Sequence, residues 1–322
     1  MTFARIAGTG SYLPPQVVTN QDLEARLDTT AQWIRERTGI ERRHVVEASQ
    51  TTSDLAVAAA EVALGAAGVS STDLDLIVVA TTTPDHIFPS VATQVQDRLG
   101  CAGFAAFDIQ AVCTGFIYAL DVADKFIRTG SARCALVIGA ETFTRILDWS
   151  DRSTCVLFGD GAGAVVLTAS DTPGILSSHL HADGRHKELL WVPGGVSRGI
   201  AEEPHQRPFV AMRGGEVFRM AVNTLGQLVE DTLAANGLTP AQLDWLVPHQ
   251  ANARILQATA KRLGLPLSRV IDTIKDHGNT SAASVPLALD TAVRDGRIQP
   301  GHTLLLEAFG GGFTWGSVLA KF

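Results

Sequence analysis

Residues 104–127 read FAAFDIQAVCTGFIYALDVADKFI. The first seven residues have the apolar character of a buried strand, and apolar residues then recur at the three- and four-residue spacing of an amphipathic helix. The pattern predicts a strand, a sharp turn and a helix, with Cys113 in the turn beside the helix N-terminus. Unpaired amide groups and the positive end of a helix dipole lower a thiol's pKa, so we expect Cys113 to be a nucleophile toward thioester or other acyl carbons.

The other cysteines, Cys101, Cys134 and Cys155, are interpreted as small buried apolar residues, which is the commoner fate of a lone cysteine. No two cysteines have the spacing of a Cys-x-x-Cys pair. The sequence therefore predicts neither a disulfide framework nor a zinc site. We expect a protein of a reducing compartment that holds no metal.

The composition is that of a globular protein large enough for two domains or two fused halves. The chain has 322 residues, of which 46% are hydrophobic, and a formal net charge of -7. This charge argues against general nucleic-acid binding, because that function needs a basic face. The N-terminal MTFARI contains no apolar signal segment, and no apolar run approaches the length of a membrane span. We expect a cytoplasmic protein that binds neither nucleic acid nor membrane.

The chain also resembles itself. The segment that begins at Gly68 recurs from Gly237, which gives an offset of 237 − 68 = 169. Further along, Ala-Leu-Asp at 119–121 recurs at 288–290 with the same offset. Ordered matches at one offset indicate two copies of a single unit.

We interpret residues 1–170 and 171–322 as the two copies. Each copy reads helix, strand, strand-turn-helix, strand, which predicts an α/β fold of mainly parallel strands covered by helices. Such folds place their chemistry at the carboxyl ends of strands. In the first copy this rule selects Cys113. In the second it selects His249, which follows a short strand, and Asn279, which lies near the pseudo-symmetric position of Cys113.

A cysteine, a neutral histidine and an asparagine suit acyl transfer. The side chains of His249 and Asn279 can donate hydrogen bonds to a carbonyl oxygen as it gains negative charge. Cysteine hydrolases use a similar triad, so thioester hydrolysis is an alternative. Against it, no acidic residue accompanies His249 to make it a strong base. A non-catalytic partner subunit is a further alternative, although such a subunit would be expected to lack the nucleophile.

Four motifs together resemble the β-ketoacyl-acyl-carrier-protein synthase III family, the initiating condensing enzymes of type II fatty-acid synthesis. They are DIQAVCTGF at 108–116, VPHQAN at 247–252, GNTSAASVP at 278–286 and FGGGFTWG at 309–316. The resemblance extends over the whole chain. It implies a duplicated thiolase-like fold with two similar halves in a layered α-β-α-β-α arrangement.

The family resemblance also implies a two-stage reaction. Cys113 takes the acyl group from acetyl-CoA or another short acyl-CoA, with the backbone amides of Cys113 and Gly311 as the oxyanion hole. His249 and Asn279 then hold the thioester oxygen of malonyl-acyl-carrier protein during a decarboxylative Claisen condensation that gives a 3-oxoacyl-acyl-carrier protein. No metal or redox cofactor is implied. A homodimer is implied, in which Phe88 borders the acyl pocket of the partner.

Coenzyme A contacts follow from the same resemblance, with Trp33 and Arg37 flanking the adenine. The full set is Thr29, Trp33, Arg37, Arg152, Gly214, Phe218 and Asn252. An indole and a guanidinium are suited to this role because both can stack on a purine face.

A basic stripe on one predicted helix consists of Arg254, Lys261 and Arg262. Their spacings of seven and eight residues place them on a common face. Carrier proteins are acidic, so we predict that this stripe docks the carrier. Thr114 stands where relatives commonly carry a smaller residue, which leaves the starter preference open. A secondary-metabolite synthase of the same fold that uses another starter acyl-CoA is therefore an alternative function.

Overall fold

In the computed structural model, which describes residues 2–198 and 208–322, two main sheets carry the fold. The strands are β1 (Phe3–Tyr12), β2 (Gln16–Thr19), β3 (Arg42–Val45), β4 (Leu76–Ala80), β5 (Ala105–Ile109), β6 (Cys134–Glu141), β7 (Gly161–Ser170), β8 (Ile175–Ala182), β9 (Leu190–Trp191), β10 (Ala211–Met212), β11 (Trp245–Pro248), β12 (Thr303–Gly310) and β13 (Thr314–Lys321).

The helices connect and cover these strands. They are α1 (Asn20–Glu24), α2 (Ala31–Thr38), α3 (Thr52–Ala67), α4 (Val91–Arg98), α5 (Gly115–Arg128), α6 (Gly214–Ala235), α7 (Ala253–Leu263), α8 (Ile274–His277) and α9 (Ser284–Arg294). None of the helices in these ranges is long and apolar enough to cross a membrane.

The first sheet has the strand order β1-β7-β6-β4-β5, and the second has the order β11-β12-β13-β8. In the first sheet β4 pairs in parallel with β5 and β6, while β7 runs antiparallel to both of its neighbours. In the second sheet β11 and β12 are parallel and β13 opposes its neighbours. Each sheet therefore has a single strand that runs against the others, which confirms the predicted α/β class with mainly parallel strands.

Helices cover both outer faces and fill the space between the sheets. Helix α3 packs on the outer face of the first sheet, and α6 and α7 pack on the outer face of the second. Helices α5 and α9 lie between the sheets in the largest core. Alternate residues of β12 serve these two layers, since Leu304 and Leu306 face the central helices and Leu305 faces the outer ones. The predicted α-β-α-β-α layers are confirmed.

The duplication visible in the sequence is a structural repeat. Strands β4 and β11 begin at positions 76 and 245, and helices α5 and α9 begin at positions 115 and 284. The differences 245 − 76 and 284 − 115 are equal, and both reproduce the offset of the sequence repeat. The copies differ at one edge, because the second sheet has no full counterpart of β5. An isolated parallel bridge between Leu246 and Val270 stands there instead.

A short 3-10 turn precedes each central helix, and these two turns carry the site. The turn Val112–Thr114 leads into α5, and Ser281–Ala283 leads into α9. Each begins with a non-glycine residue in the left-handed region, since both Val112 and Ser281 have a φ of 48°. Such a conformation is unfavourable for residues with a Cβ and is held by the surrounding structure. The two turns contact one another at the centre of the molecule.

Candidate active site

A cavity of about 540 Å³ brings the three predicted catalytic side chains together. Cys113 comes from the turn before α5, His249 from the residue after β11, and Asn279 from the segment before α9. All three are buried. The cavity therefore joins a thiol from the first half of the chain to an imidazole and a carboxamide from the second.

His249 is fixed in one orientation by Ser284. Its Nδ1 lies 2.5 Å from the Ser284 Oγ, and the same oxygen accepts the backbone N–H of Gln250 at 3.3 Å. We assign the Ser284 hydroxyl as the donor of this bond, which makes Nδ1 the acceptor and places the ring proton on Nε2.

The imidazole of His249 is neutral at physiological pH, because burial lowers its pKa to about 3. A neutral ring that carries its proton on Nε2 can donate a hydrogen bond to a substrate oxygen. It is a poor general base, since a base with so low a pKa holds a proton weakly at neutral pH. These properties favour acyl transfer over the hydrolytic alternative.

Asn279 is likewise held as a hydrogen-bond donor. Its Oδ1 accepts the backbone N–H of Ser281 at 2.9 Å, which leaves the Nδ2 group to donate. The backbone of Asn279 is also fixed, because its N–H donates to Leu157 O at 2.9 Å and its carbonyl accepts from Gly159 N at 3.0 Å. Asn279 and His249 therefore present two neutral donors to the same cavity.

Cys113 lies beside the N-terminus of α5, as the sequence predicts. The expectation of a lowered thiol pKa is nevertheless wrong. Burial raises the pKa of Cys113 to about 12; a hydrogen bond with Ser281 lowers it, and the charge of Glu141 raises it. Removal of the thiolate from water outweighs the helix terminus here. The thiol is protonated at neutral pH, so attack on an acyl carbon requires a proton acceptor.

The glycine loop, which comprises the last residue of β12 and the turn to β13 (Gly310 to Gly312), lies directly against Cys113. A Cβ placed on Gly310 would lie 2.8 Å from the amide nitrogen of Cys113, and one placed on Gly311 would lie 2.8 Å from Leu190 O. Such contacts are too short for any residue other than glycine. The loop therefore brings its backbone within reach of an oxygen held at the Cys113 amide.

Two hydrogen bonds from hydroxyl groups join the start of β13 to the turn that carries Cys113. Thr114 Oγ1 donates to Thr314 O at 3.0 Å, and Thr314 Oγ1 donates to Ala111 O at 3.1 Å. Thr114 is fully buried and is not among the residues that line the cavity. Its hydroxyl thus joins the helix start to β13, and it does not form the floor of this cavity.

The mouth of the cavity contains most of the predicted coenzyme A contacts. The residues of that set that line it are Trp33, Arg37, Arg152, Gly214, Phe218 and Asn252. Thr29 does not line it. The guanidinium of Arg152 lies 5.4 Å from the centre of the Trp33 ring. Arg152 therefore lies over the indole face, where a purine could also stack, and the predicted flanking of the adenine by Trp33 and Arg37 stays a prediction.

Both the oxygen and the nitrogen of the Asn252 side-chain amide form hydrogen bonds within the protein. As the N-cap of α7, its Oδ1 accepts the backbone N–H of Arg254 at 2.9 Å, and its Nδ2 donates to Arg37 O at 3.1 Å. Asn252 therefore positions the helix and the Arg37 segment at the cavity mouth. The guanidinium of Arg254 covers the Phe218 ring at 5.0 Å on the same rim.

Arg262 does not belong to a free basic stripe. Its guanidinium donates to both carboxylate oxygens of Glu230 at 3.0 and 2.9 Å, to Gln227 Oε1 at 2.9 Å and to Asn223 O at 3.0 Å. These bonds tie α7 to α6. Arg262 is therefore engaged within the protein, and its role in carrier docking stays a prediction, as do those of Arg254 and Lys261, which are exposed like it.

Phe88 lies in the loop between β4 and α4 and is 84% exposed, next to Ile87 at 64%. The loop is anchored by Asp85, which accepts the backbone N–H of Ser53 at 2.9 Å and its hydroxyl at 2.6 Å. A second cavity of about 680 Å³ borders Ile87. The loop thus presents two apolar side chains to solvent from a fixed base.

Sequence reasoning missed the residues that surround the three predicted catalytic side chains. Ser281 and Ser284 are fully buried beside Cys113 and His249, and Glu141 is fully buried at the end of β6. The two serines lie within the quoted motif at 278–286, but nothing in the sequence indicates their partners. In residues 2–198 and 208–322, no three His, Cys, Asp or Glu side chains are grouped to hold a metal ion.

Comparison with known proteins identifies relatives along the whole chain. Residues 107–184 and 233–322 match the sequence profiles of 3-oxoacyl-[acyl-carrier-protein] synthase III and of its C-terminal part. The β-ketoacyl-[acyl-carrier-protein] synthase III of Thioalkalivibrio sulfidiphilus is 62% identical over 322 residues and is covered, like this chain, over 100% of its length. That of Xanthomonas campestris is 62% identical over 320 residues, 99% of this chain and 98% of the relative.

A solved structure agrees with these matches. The crystal structure of 3-oxoacyl-[acyl-carrier-protein] synthase III from Aquifex aeolicus superposes with a TM-score of 0.93 at 45% identity. The superposition covers 99% of this chain and 100% of that one.

Proposed function

This chain belongs to the β-ketoacyl-[acyl-carrier-protein] synthase III family, and from that premise we propose which of its residues carry the reaction. The protein is an acyltransferase that condenses an acyl-CoA with malonyl-acyl-carrier protein and so initiates fatty-acid synthesis. Identity of 62% over the full length to synthases of this name favours that function over a secondary-metabolite pathway. The observation that carries the residue assignment is the single cavity shared by Cys113, His249 and Asn279.

The first stage loads the enzyme. The Sγ of Cys113 attacks the thioester carbonyl of acetyl-CoA or another short acyl-CoA, and the carbon–sulfur bond to coenzyme A breaks as the acyl-cysteine forms. The backbone amides of Cys113 and Gly311 receive the negative charge on the carbonyl oxygen. The close approach of the glycine loop to the Cys113 amide supports this assignment.

The second stage forms the new carbon–carbon bond. Malonyl-acyl-carrier protein enters, and its thioester oxygen accepts hydrogen bonds from the Nε2–H of His249 and the Nδ2–H of Asn279. These donors stabilise the enolate that forms as carbon dioxide leaves, and the carbanion then attacks the acyl-cysteine. The supporting observations are the neutral imidazole and the Ser281 bond that fixes the Asn279 amide. The thioester and the carboxylate supply the reactivity, so we propose no metal or redox cofactor.

Substrate binding is assigned to the cavity mouth. We propose that the adenine of coenzyme A stacks on the Trp33–Arg152 pair and that Arg37 lies beside its phosphates, because both arginines line the mouth. Arg254 and Lys261 dock the acidic carrier protein. The exposed Phe88 crosses to the acyl pocket of a second copy in a cytoplasmic homodimer.

Mass spectrometry of the intact protein after incubation with acetyl-CoA tests the assignment. The wild-type protein is expected to gain one acetyl group on Cys113, and Cys113→Ala is expected to gain none. Cys134→Ala is the matched control, because Cys134 is also a buried thiol of the first half. An unmodified wild-type protein, or acetylation of Cys113→Ala, would contradict the proposal. A panel of longer acyl-CoAs in the same assay reports the starter preference.

A further inference from the structure

Arg43 is a buried cation that the reaction described so far does not use. It has no exposed surface. Burial lowers its pKa to about 10, so the guanidinium is still charged at neutral pH. In the described part of the chain, residues 2–198 and 208–322, no carboxylate forms a salt bridge with Arg43. A buried charge without a counter-ion is costly, so its place in the interior calls for a function.

The guanidinium of Arg43 joins segments that are distant in the sequence. Its Nη1 donates to Val18 O at 3.2 Å, and its Nη2 donates to Asn20 Oδ1 at 3.0 Å and to Val156 O at 2.7 Å. The shortest of these bonds holds Val156, which lines the active-site cavity. Arg43 itself does not line the cavity. An effect of Arg43 on the reaction therefore has to pass through a residue that does.

The segment that follows Val156 forms a short parallel bridge with Asn279. The N–H of Asn279 donates to Leu157 O at 2.9 Å, and the carbonyl of Asn279 accepts from Gly159 N at 3.0 Å. Phe158 is paired with Asn279 between these two bonds. Because both polar groups of the Asn279 backbone are bonded to this segment, a shift of the segment would move the carboxamide with it.

The Cβ of Arg43 packs against both segments of this bridge. A Cβ placed on Gly159 would lie 3.0 Å from the Arg43 Cβ, and one placed on Gly278 would lie 3.1 Å from it. Gly159 is bonded to the Asn279 carbonyl, and Gly278 is the residue before Asn279. Arg43 therefore contacts the bridge at two points through its Cβ and supports it at a third through the guanidinium.

Strand β3, which carries Arg43, is attached to the same two segments. His44 O accepts the backbone N–H of Asp160 at 2.8 Å, and Glu41, just before the strand, donates its backbone N–H to Lys275 O at 2.8 Å. Strand β3 also contacts helix α8. These bonds fix the strand on both sides of the bridge and give the guanidinium a defined position.

We propose that Arg43 is a positioning residue for the condensation stage, an inference that rests on the proposed function. Its guanidinium and its Cβ hold the segment 156–159, and this segment sets the position of the Asn279 carboxamide toward the malonyl thioester oxygen. Loading of Cys113 does not use the Asn279 donor, so Arg43 serves the second stage more than the first. A displacement of about 1 Å at a reacting site can lower a rate by about 100-fold.

The test measures two rates for each variant, the acetylation of Cys113 by acetyl-CoA and the single-turnover condensation of the acetylated enzyme with malonyl-acyl-carrier protein. Arg43→Met keeps an unbranched side chain and removes the donors. It is expected to condense about 10- to 100-fold more slowly than the wild type, while acetylation falls far less. Arg43→Lys keeps the cation and one donor group but lacks the planar fork, so it is expected to recover part of the condensation rate.

Arg269→Met is the matched control. The guanidinium of Arg269 also donates to main-chain carbonyls, those of Ala241 at 3.1 Å and Leu243 at 3.3 Å. Arg269 does not line the active-site cavity. This variant is expected to retain both the acetylation rate and the condensation rate of the wild type.

A double-mutant cycle separates positioning of Asn279 from a general structural role. If Arg43 acts through Asn279, the double variant Arg43→Met with Asn279→Ala is expected to condense at the rate of Asn279→Ala alone, because the donor that Arg43 positions is absent. If Arg43→Met does not fold, the same cycle with Arg43→Lys is judged by the same criteria.

Three results would overturn the positioning role. They are wild-type condensation in Arg43→Met, equal losses in acetylation and condensation, and losses that multiply in the double variant. A wild-type protein that acquires no acetyl group, or an Asn279→Ala variant that condenses like the wild type, contradicts the proposed function itself. The two failures are therefore distinguishable.

Discussion

The two turns at the centre of the molecule have the same backbone and different chemistry. Val112 and Ser281 open them with the same φ of 48° and stand at equivalent positions of the sequence repeat, since 281 − 112 equals its offset. The next position is Cys113 in the first turn and Ala282 in the second. The duplicated unit thus has the same turn backbone in both copies, and a cysteine follows it in only one of them.

The comparison extends to the strands beside the turns. His249 follows β11, and the equivalent position of the first half is Ala80 at the end of β4. Glu141 ends β6, and the equivalent position of the second half is Gly310, where a side chain would collide with the Cys113 amide. Polar residues in one copy are matched by small residues in the other. The cavity therefore combines different functional groups from the two halves at one place.

The largest expected effect comes from removing the donors that the second half contributes. His249→Ala is expected to lower condensation with malonyl-acyl-carrier protein by about 100- to 1000-fold, because one hydrogen-bond donor to the developing oxyanion is lost. Loading of Cys113 is expected to fall far less. Carbon dioxide release and acetyl-cysteine formation are measured separately. A loss by the same factor in both would contradict the assignment of His249 to the condensation stage.

A side chain at Gly310, the position equivalent to Glu141 in the repeat, is expected to have a smaller effect than His249→Ala. Gly310→Ala places a methyl group 2.8 Å from the Cys113 amide nitrogen, and overpacking of this kind destabilises a protein by about 1–3 kcal/mol. Gly65→Ala in helix α3 meets no atom within 4 Å and is the control. Denaturant unfolding of the two variants checks the prediction. Equal stability of Gly310→Ala and the wild type would contradict the close approach of the glycine loop.

His277, a half-buried histidine of the second half, is expected to make the protein sensitive to acid. Burial lowers the pKa of His277 to about 4 from 6.5, so its contribution to stability is present above pH 6.5 and is lost as the pH falls toward 4. Between these values each pH unit costs about 1.4 kcal/mol for one proton. The free energy of unfolding of His277→Gln is expected to decrease less steeply than that of the wild type as the pH falls. Urea titrations at several pH values measure both slopes, and identical slopes would refute the assignment.

Loss of the Thr114 hydroxyl, which joins the two halves by a hydrogen bond, is expected to have the smallest effect. Thr114→Val removes the hydroxyl that donates to Thr314 O and is expected to cost about 1 kcal/mol. Thr114→Ser keeps the hydroxyl and is expected to recover most of the loss. Thermal unfolding of both variants measures the contribution of this hydroxyl. The second turn lacks the hydroxyl, because Ala283 stands at the equivalent position. A larger loss in the serine variant than in the valine variant would contradict the role of the hydroxyl.

The α/β class and the three candidate positions Cys113, His249 and Asn279 are predictable from the sequence because they depend on local periodicity and on the repeat, whereas the layered arrangement was implied by the family resemblance. Apolar spacing reports which face of a strand or helix is buried, and strand ends locate the chemistry. The pKa of Cys113 is not predictable in this way. Its burial arises from the glycine loop and the Ser281 turn, which are distant in sequence.

Sequence patterns also do not predict which residues the charged side chains contact. Arg262 has the spacing of a basic stripe, yet it is bonded to Glu230 on the neighbouring helix. Arg152 lies on Trp33 although more than a hundred residues separate them. Both contacts depend on how the layers pack, which spacing within one helix does not report.

The fate of the acetyl group on Cys113 tests the shared site most directly. The enzyme is loaded with acetyl-CoA, freed of excess reagent, and followed by intact mass spectrometry in buffer with or without malonyl-acyl-carrier protein. The acetyl group is expected to persist in buffer and to be lost on addition of the malonyl carrier, with formation of the 3-oxoacyl carrier. Loss at the same rate in buffer alone, or retention in the presence of the carrier, would contradict a cavity in which both halves act on one substrate.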